Sequence, residues 1–467
     1  MEEIYSDNIP RKTKWAFGLI GAASAALDGT VFGSITFFYN VKMGLDSNLV
    51  GIAWLIFGIW NAINDPIFGI LEERTKTKIG RRIPYIRYGA FIYGLFFILS
   101  WFPFFGTTQI ALFFNLLAVL FVFDTIFTLI GLVTYSLPAE MAITAKSRAN
   151  LGVYTTILGA IGVLVSMVLP MFFLTGTETT QLDPAFRPAM IIVGIISSII
   201  IFIGSYFLYE NDYTQQEETL GLISSLLESF KNKPFLIFES SNFLFNIGYT
   251  ILISGIFYYI QFILQLTDIA AMIPLILIFI SLFIFTAIFS MLVPKYGLRK
   301  IQLFGLVFTS IVFAICFFIA DEYLPALIIM VFIGVGLAAR VVTEGPIMGD
   351  LIDYDETLTG KRRETSYAGI NALFMKPSIS IANWLYLAIF KAYGFDETLS
   401  IQSDRTKSGI MIGFFLVPAI LFLFSAFLFY RYPLHGKEWN LKKIEIAKLH
   451  QQKEKDYLEY LKNSKKE

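Results

Sequence analysis

The chain has 467 residues, of which 56% are hydrophobic and 15% charged; its mean hydropathy is +0.66 and its formal net charge is zero. A soluble domain carries roughly 25% charged residues, so this composition excludes an ordinary soluble globule and points to lipid as the solvent. Zero net charge supplies no global field for nucleic acid, and no nucleic-acid partner is expected.

The first residues, MEEIYSDNIPRKTK, are polar, and the long apolar run after them lacks a small-residue cleavage pattern. No cleaved signal peptide is expected. Apolar segments then recur near 15–41, 48–71, 88–105, 109–138, 150–174, 189–209, 235–265, 270–293, 301–320, 324–349, 367–393 and 409–431. Each approaches or exceeds the ~20 residues a helix needs to cross the hydrocarbon core. Barrel strands of ~10 alternating residues are absent from the pattern. The reading is an all-α polytopic membrane protein with twelve transmembrane helices, because helices satisfy their own backbone groups in lipid.

Basic residues cluster in alternate connections. Arg74, Lys76, Lys78, Arg81, Arg82 and Arg87 follow helix 2; Lys146 and Arg148 follow helix 4. Lys295, Arg299 and Lys300 follow helix 8; Lys361, Arg362 and Arg363 follow helix 10. The positive-inside rule then predicts a cell-membrane protein with both termini cytoplasmic. The polar stretch 210–234 separates six helices (1–209) from six more (235–432) and contains LGLISSLLESF, a short amphipathic helix by pattern. The tail, 433–467, reads as a charged, helix-prone, solvated extension. GILEERTKTKIGRR (69–82) and VPKYGLRK (293–300) place glycine and basic residues at corresponding turns. Two such halves, related by an axis along the membrane normal, describe the major facilitator fold.

Polar groups at membrane depth carry the functional signal. Asp65 sits mid-helix, where a carboxylate costs ~2.5–3.5 kcal/mol on insertion scales. Asn61, Asn64 and Asp65 fall at i, i+3 and i+4, on one helical face. Pro66 lacks an N–H, so the Ala62 carbonyl loses its usual partner. This oxygen-rich turn suits a hard cation, or a proton on Asp65; a structural pairing with a lysine is the alternative. Arg340 and Glu344, four apart, read as an ion pair, with substrate contact the sharper reading. Glu239 at the start of helix 7 reads as interfacial. Tyr249, Tyr258, Tyr259 and Gln261 offer hydrogen bonds and stacking faces, although membrane aromatics are more often packing. His435 and His450 both lie in the tail and Cys316 stands alone in an apolar run. No metal site, catalytic centre or disulfide is therefore expected.

Three segments together resemble the glycoside–pentoside–hexuronide:cation symporter family of the major facilitator superfamily. They are WNAINDPIFGILEERTKTKIGRRIPYI (60–86), TYSLPAEMAITAKSRANLGVY (134–154) and MGDLIDYDETLTGKRRETSYAGINALFMK (348–376). They lie in order across both halves. The resemblance implies cation-coupled symport of a sugar or glycoside, sodium or proton as coupling ion, no cofactor, and a monomer. It assigns the cation site to the positions of Asp65, Asn61 and Thr128, with Asn61 standing where the family has a second acid, and Asn64 joins them by its place on the same helical face. It puts Lys376 beside that site. The family's sugar-binding acids align with Ala25 and Gly131, with Asp28 and Asp124 one and two turns away, and its helix-5 arginine aligns with Thr156. Sugar-clamping charges are therefore absent or displaced, so a lysolipid or other amphiphile carrier on the same scaffold is the alternative. Finally, Glu73, Arg74, Arg81 and Arg82 are expected to face Asp350, Asp353 and Arg363 as a cytoplasmic gate. A membrane enzyme lacks its constellation here, and a channel lacks its filter repeat.

Overall fold

The computed structural model describes residues 9–464 apart from 76, 142–144, 177, 211–229 and 361–362. The LGLISSLLESF segment falls largely outside the described residues. Among the described residues twelve apolar elements run in order: α1 (Arg11–Phe37), α2 (Ser47–Arg74), α3 (Ile83–Leu99), α4 (Gln109–Met141), α5 (Ala145–Leu174), α6 (Phe186–Gly204), α7 (Lys233–Tyr258), α8 (Asp268–Tyr296), α9 (Leu298–Ile319), α10 (Tyr323–Thr359), α11 (Glu364–Ala392) and α12 (Asp404–Phe429). A polar helix, α13 (Gly436–Ser464), follows. Eleven of the twelve are long and apolar enough to cross a membrane by themselves, and α3 is shorter. The sequence pattern puts helix 3 at 88–105. The helix instead starts at Ile83, with Pro84 in its first turn, and stops before Trp101. Proline fits the first turn because the lost N–H is unpaired there anyway. The apolar residues after Leu99 belong to the turn.

Helix pairing repeats after six. In the first six, α1 packs on α5 and α6, α4 on α2 and α3, and α3 on α6. In the next six, α7 packs on α11 and α12, α10 on α8 and α9, and α9 on α12. The contacts between the sets, α2 with α11, α5 with α8 and α1 with α7, map onto one another under the same exchange. Both α1 and α7 end in a π turn, at Phe38–Lys42 and Tyr259–Leu264, giving spans of 32 residues each. The tightest seam, α1 on α5, needs small residues. A Cβ on Gly162 would stand 3.0 Å from the Ala22 Cα, and one on Gly18 would stand 2.7 Å from Leu158 Cδ1. Small residues let membrane helices approach closely where lipid supplies no hydrophobic drive.

The two sets meet most closely on the side away from the basic connections. There Tyr258 donates to Asn40 Oδ1 (2.8 Å), Thr36 to Asn383 Oδ1 (2.8 Å) and Gly176 N–H to Gln261 Oε1 (2.8 Å). Lys391 bridges Asp46 (2.8 Å) and Glu397 (3.0 Å), and Glu397 also accepts from the Ser47 N–H and hydroxyl at 2.6 Å each. Phe37, Tyr258, Tyr386 and Phe390 fill the layer beneath, all fully buried. Towards the basic side, by contrast, Gly131, Gly152, Gly159, Gly345, Gly349 and Gly369 have nothing within 4 Å of a built Cβ. They lie on α4, α5, α10 and α11, two related pairs. The bundle is sealed at one end, and toward the other these glycines face open space among the described residues.

α13 departs from the expected solvated tail. Trp439 is buried, donates from Nε1 to Asp350 Oδ2 (2.9 Å) and lies 6.0 Å from the Tyr354 ring. Lys443 pairs with Asp350 Oδ1 at 2.6 Å. The tail is thereby docked on the end of α10. Trp439→Ala is expected to remove about 3 kcal/mol of local packing. Trypsin should then cut at Lys442 and Lys448 at least tenfold faster, and unchanged cleavage would mean the docking contributes little.

Candidate functional site

α2 carries Asn61, Asn64 and Asp65 on one face, α4 carries Asp124 and Thr128 four residues apart, and α11 brings Lys376 from the other set. The i, i+4 spacing puts Asp124 and Thr128 one above the other. Lys376 Nζ donates to Asp65 Oδ1, to Asn64 Oδ1 (2.8 Å) and to Thr128 Oγ1 (3.2 Å). Asn64 Nδ2 donates in turn to Asp124 Oδ2 and to Thr128 Oγ1 (3.2 Å). Asn64 is thus the hinge of the cluster: its oxygen holds the lysine and its nitrogen holds the second acid.

The ion-pair side chains are 13% and 15% exposed for Asp65 and Lys376, and Asp124 is 1% exposed. Charges so removed from water persist only when paired and hydrogen-bonded. One lysine faces two carboxylates here, so with both acids ionised the cluster is one positive charge short. Asn61 is buried, and its Oδ1 has no hydrogen-bond partner among the described residues. Carboxylate, amide and hydroxyl oxygens around a single ammonium form a donor set suited to a small hard cation. A buried orphan oxygen one turn away adds one more potential ligand.

The remaining sequence candidates distribute differently. One Asp28 oxygen has no hydrogen-bond partner among the described residues. Thr156 is exposed on α5, on the face that carries Gly152 and Gly159. Tyr258, expected at the substrate, is instead fully buried in the sealed end with its hydroxyl committed to Asn40. Gln261 sits there as well. Glu239, expected at the interface, is fully buried. Arg340 and Glu344 do pair, at 2.9 Å.

Part of the bonding of the expected gate residues lies within one half or with α13. Asp350 is taken by α13. Arg363 forks onto Asp355 at 2.8 and 2.6 Å, both groups buried. The Arg81 and Arg82 N–H groups, with that of Ile83, donate to the Glu210 carboxylate at 2.8–2.9 Å, which caps the start of α3. An acid at a helix N-terminus is favoured by its unpaired N–H groups and the dipole. Asp353 lies half-buried on α10, and the Glu73 and Arg74 side chains lie outside the described residues. Sequence reading missed the Asp46–Lys391–Glu397 bridge of the sealed end. Those charges sit at helix ends, where headgroup placement explains them equally well.

The family model for MFS/sugar transport proteins matches residues 16–436. The chain is 23% identical over 441 residues to the inner membrane symporter YicJ of Escherichia coli (strain K12), covering 91% of this chain and 92% of that one. It is 22% identical over 442 residues to the isoprimeverose transporter of Lactiplantibacillus pentosus, covering 92% and 90%. Among solved structures, a D-xylose-proton symporter superposes with a TM-score of 0.64 at 15% identity, over 90% of this chain and 96% of that one, a likeness of fold. Repeated helix pairing, a charged cluster at membrane depth and a match along nearly the whole chain converge: this protein is a membrane transporter for a small molecule and belongs to the glycoside–pentoside–hexuronide:cation symporter family of the major facilitator superfamily.

Proposed function

We propose that the protein is a cation-coupled symporter that moves a sugar or glycoside by alternating access, with sodium or a proton as the coupling ion. The observation that carries this reading is the Lys376 ammonium seated among Asp65, Asn64 and Thr128. An incoming cation competes with that ammonium for the same oxygens. Lys376 belongs to the second half (235–432) and the oxygens to the first (1–209). Cation binding therefore loosens α11 from α2, which couples occupancy to the relative position of the halves. A ligand shifts such an equilibrium only through its different affinity for the two states, and displacement of Lys376 supplies that difference.

The basic connections lie on the open side, which the positive-inside rule assigns to the cytoplasm, with both termini. The conformation is then inward-open. Asp350, Asp353, Arg81, Arg82 and Arg363 form the gate on that side, and α13 competes for Asp350. The solute sits between the halves, with Asp28 and Thr156 facing it. Relatives named as a symporter and as an isoprimeverose transporter favour a sugar over a lysolipid.

The test is uptake into proteoliposomes of isoprimeverose and a panel of glycosides, under an imposed sodium or proton gradient. Accumulation above equilibrium under one gradient is the expected result. Equilibration that no gradient raises would sink the coupling.

A further inference from the structure

A second polar cluster lies wholly within the second half. Arg340 on α10 donates from Nη2 to Asn242 Oδ1 on α7 and pairs with Glu344. The Phe245 and Phe238 rings cover it at 5.1 and 5.7 Å. Asn242 Nδ2 lies 3.2 Å from the Asn371 amide oxygen on α11. That same Asn371 atom lies 3.1 and 3.2 Å from the two carboxylate oxygens of Glu239, which is fully buried.

The direction of each bond follows from chemistry. Arginine is a donor only, so Asn242 must turn its oxygen to Arg340 and its NH2 to Asn371. Asn371 must then present its oxygen to that NH2, and the same oxygen faces Glu239. Two acceptors at 3.1 Å repel unless a proton lies between them. Turning the Asn371 amide over would satisfy an ionised Glu239 but would set NH2 against NH2 at Asn242. Amide orientation is decided by the whole network, and a neutral Glu239 donating to the Asn371 oxygen keeps the Asn242–Asn371 bond and leaves no two acceptors or two NH2 groups in contact along the Arg340–Asn242–Asn371–Glu239 chain.

We propose that Glu239 is a proton-binding site of the second half, loaded in the inward-open conformation and separate from the Asp65–Asp124–Lys376 cluster. The groups that face it are Arg340 and Glu344 on α10, Asn242 on α7 and Asn371 on α11. The packed part of α12, Val417–Phe429, brings no ionisable side chain. With Glu239 neutral, Arg340 and Glu344 balance. Loss of the proton leaves a buried carboxylate that must seek Arg340, whose Nε and Nη1 have no hydrogen-bond partner among the described residues. Glu239 then competes with Glu344, which is 44% exposed on α10. Proton occupancy thereby sets whether Arg340 pairs within α10 or across to α7. Use of this proton in transport rests on the symport reading; its presence does not.

The test is infrared difference spectroscopy of the full chain in lipid nanodiscs at pH 7, read at the carboxylic-acid C=O stretch. The wild type is expected to show a band that Glu239→Gln lacks and Asp65→Asn keeps. Asn371→Leu should move that band to higher frequency, because the acid loses its acceptor. Superimposable wild-type and Glu239→Gln spectra overturn the proposal, as does loss of the band in Asp65→Asn. If Glu239→Gln does not fold, Asn371→Leu decides: an unshifted band overturns it. No transported solute enters the measurement, so absence of symport leaves its outcome unchanged.

Discussion

Lys376→Met is expected to abolish gradient-driven accumulation, at least a hundredfold, and to destabilise the protein by about 3–5 kcal/mol. The stability figure is the usual penalty for leaving one partner of a buried ion pair without its counter-charge. Asp65 loses its partner directly, and Asn64, which holds Asp124, loses the ammonium on its oxygen. Asp65→Asn alone leaves Lys376 with Asn64 and Thr128 and one acid nearby, and should cost less stability but the same coupling. The double variant removes one charge of each sign. It should recover much of the stability without recovering accumulation. An interaction energy of about 0.5–3 kcal/mol in the double-mutant cycle is the expected signature. Thermal unfolding of the purified variants and uptake in proteoliposomes measure the two readouts. Strictly additive losses in stability would show that Lys376 and Asp65 are not coupled.

Breaking the sealed end should shift the protein toward its other conformation. Lys391 ties Asp46 of the first half to Glu397 of the second, and Glu397 already holds the start of α2 through Ser47. Hydrogen bonds to charged groups contribute about 1.5–3 kcal/mol, so Lys391→Ala should change the ratio of the two states roughly ten- to a hundredfold. Spin labels at Asn48 and Leu399, both exposed on opposite halves, report the separation. Cys316 is buried and does not compete for label. A longer-distance population should grow; an unchanged distribution would show that the bridge does not hold the seal. Acid should act in the same direction. Burial by itself would raise the Asp46 carboxyl, but the Lys391 ammonium and the Asn48 N–H hold it below its ordinary 3.8. Its contribution to the closed end is therefore complete above that value and fades as pH falls through the depressed one.

Hydropathy alone determined that this chain is a bundle of membrane helices. Length and lipid solvation leave the backbone no other solution. Helical periodicity alone placed Asn61, Asn64 and Asp65 on one face, and the cost of a mid-membrane carboxylate singled out Asp65. Tertiary structure decided who meets them. That Lys376 reaches Asp65 from 311 residues away depends on α11 packing across α2, and one helix's periodicity says nothing about its neighbour. The same limit explains the misplacements. Tyr258 looked like a sugar contact because aromatics carry no label for depth, and packing put it in the seal. Glu239 looked interfacial because it starts a helix, yet Asn242, Asn371 and Arg340 give it partners that no local pattern shows. The polar tail looked solvated because its charges dominate its composition; a single tryptophan and its bond to Asp350 dock it. Solvent choice is written in composition, whereas the pairing of distant charges exists only once the helices are packed.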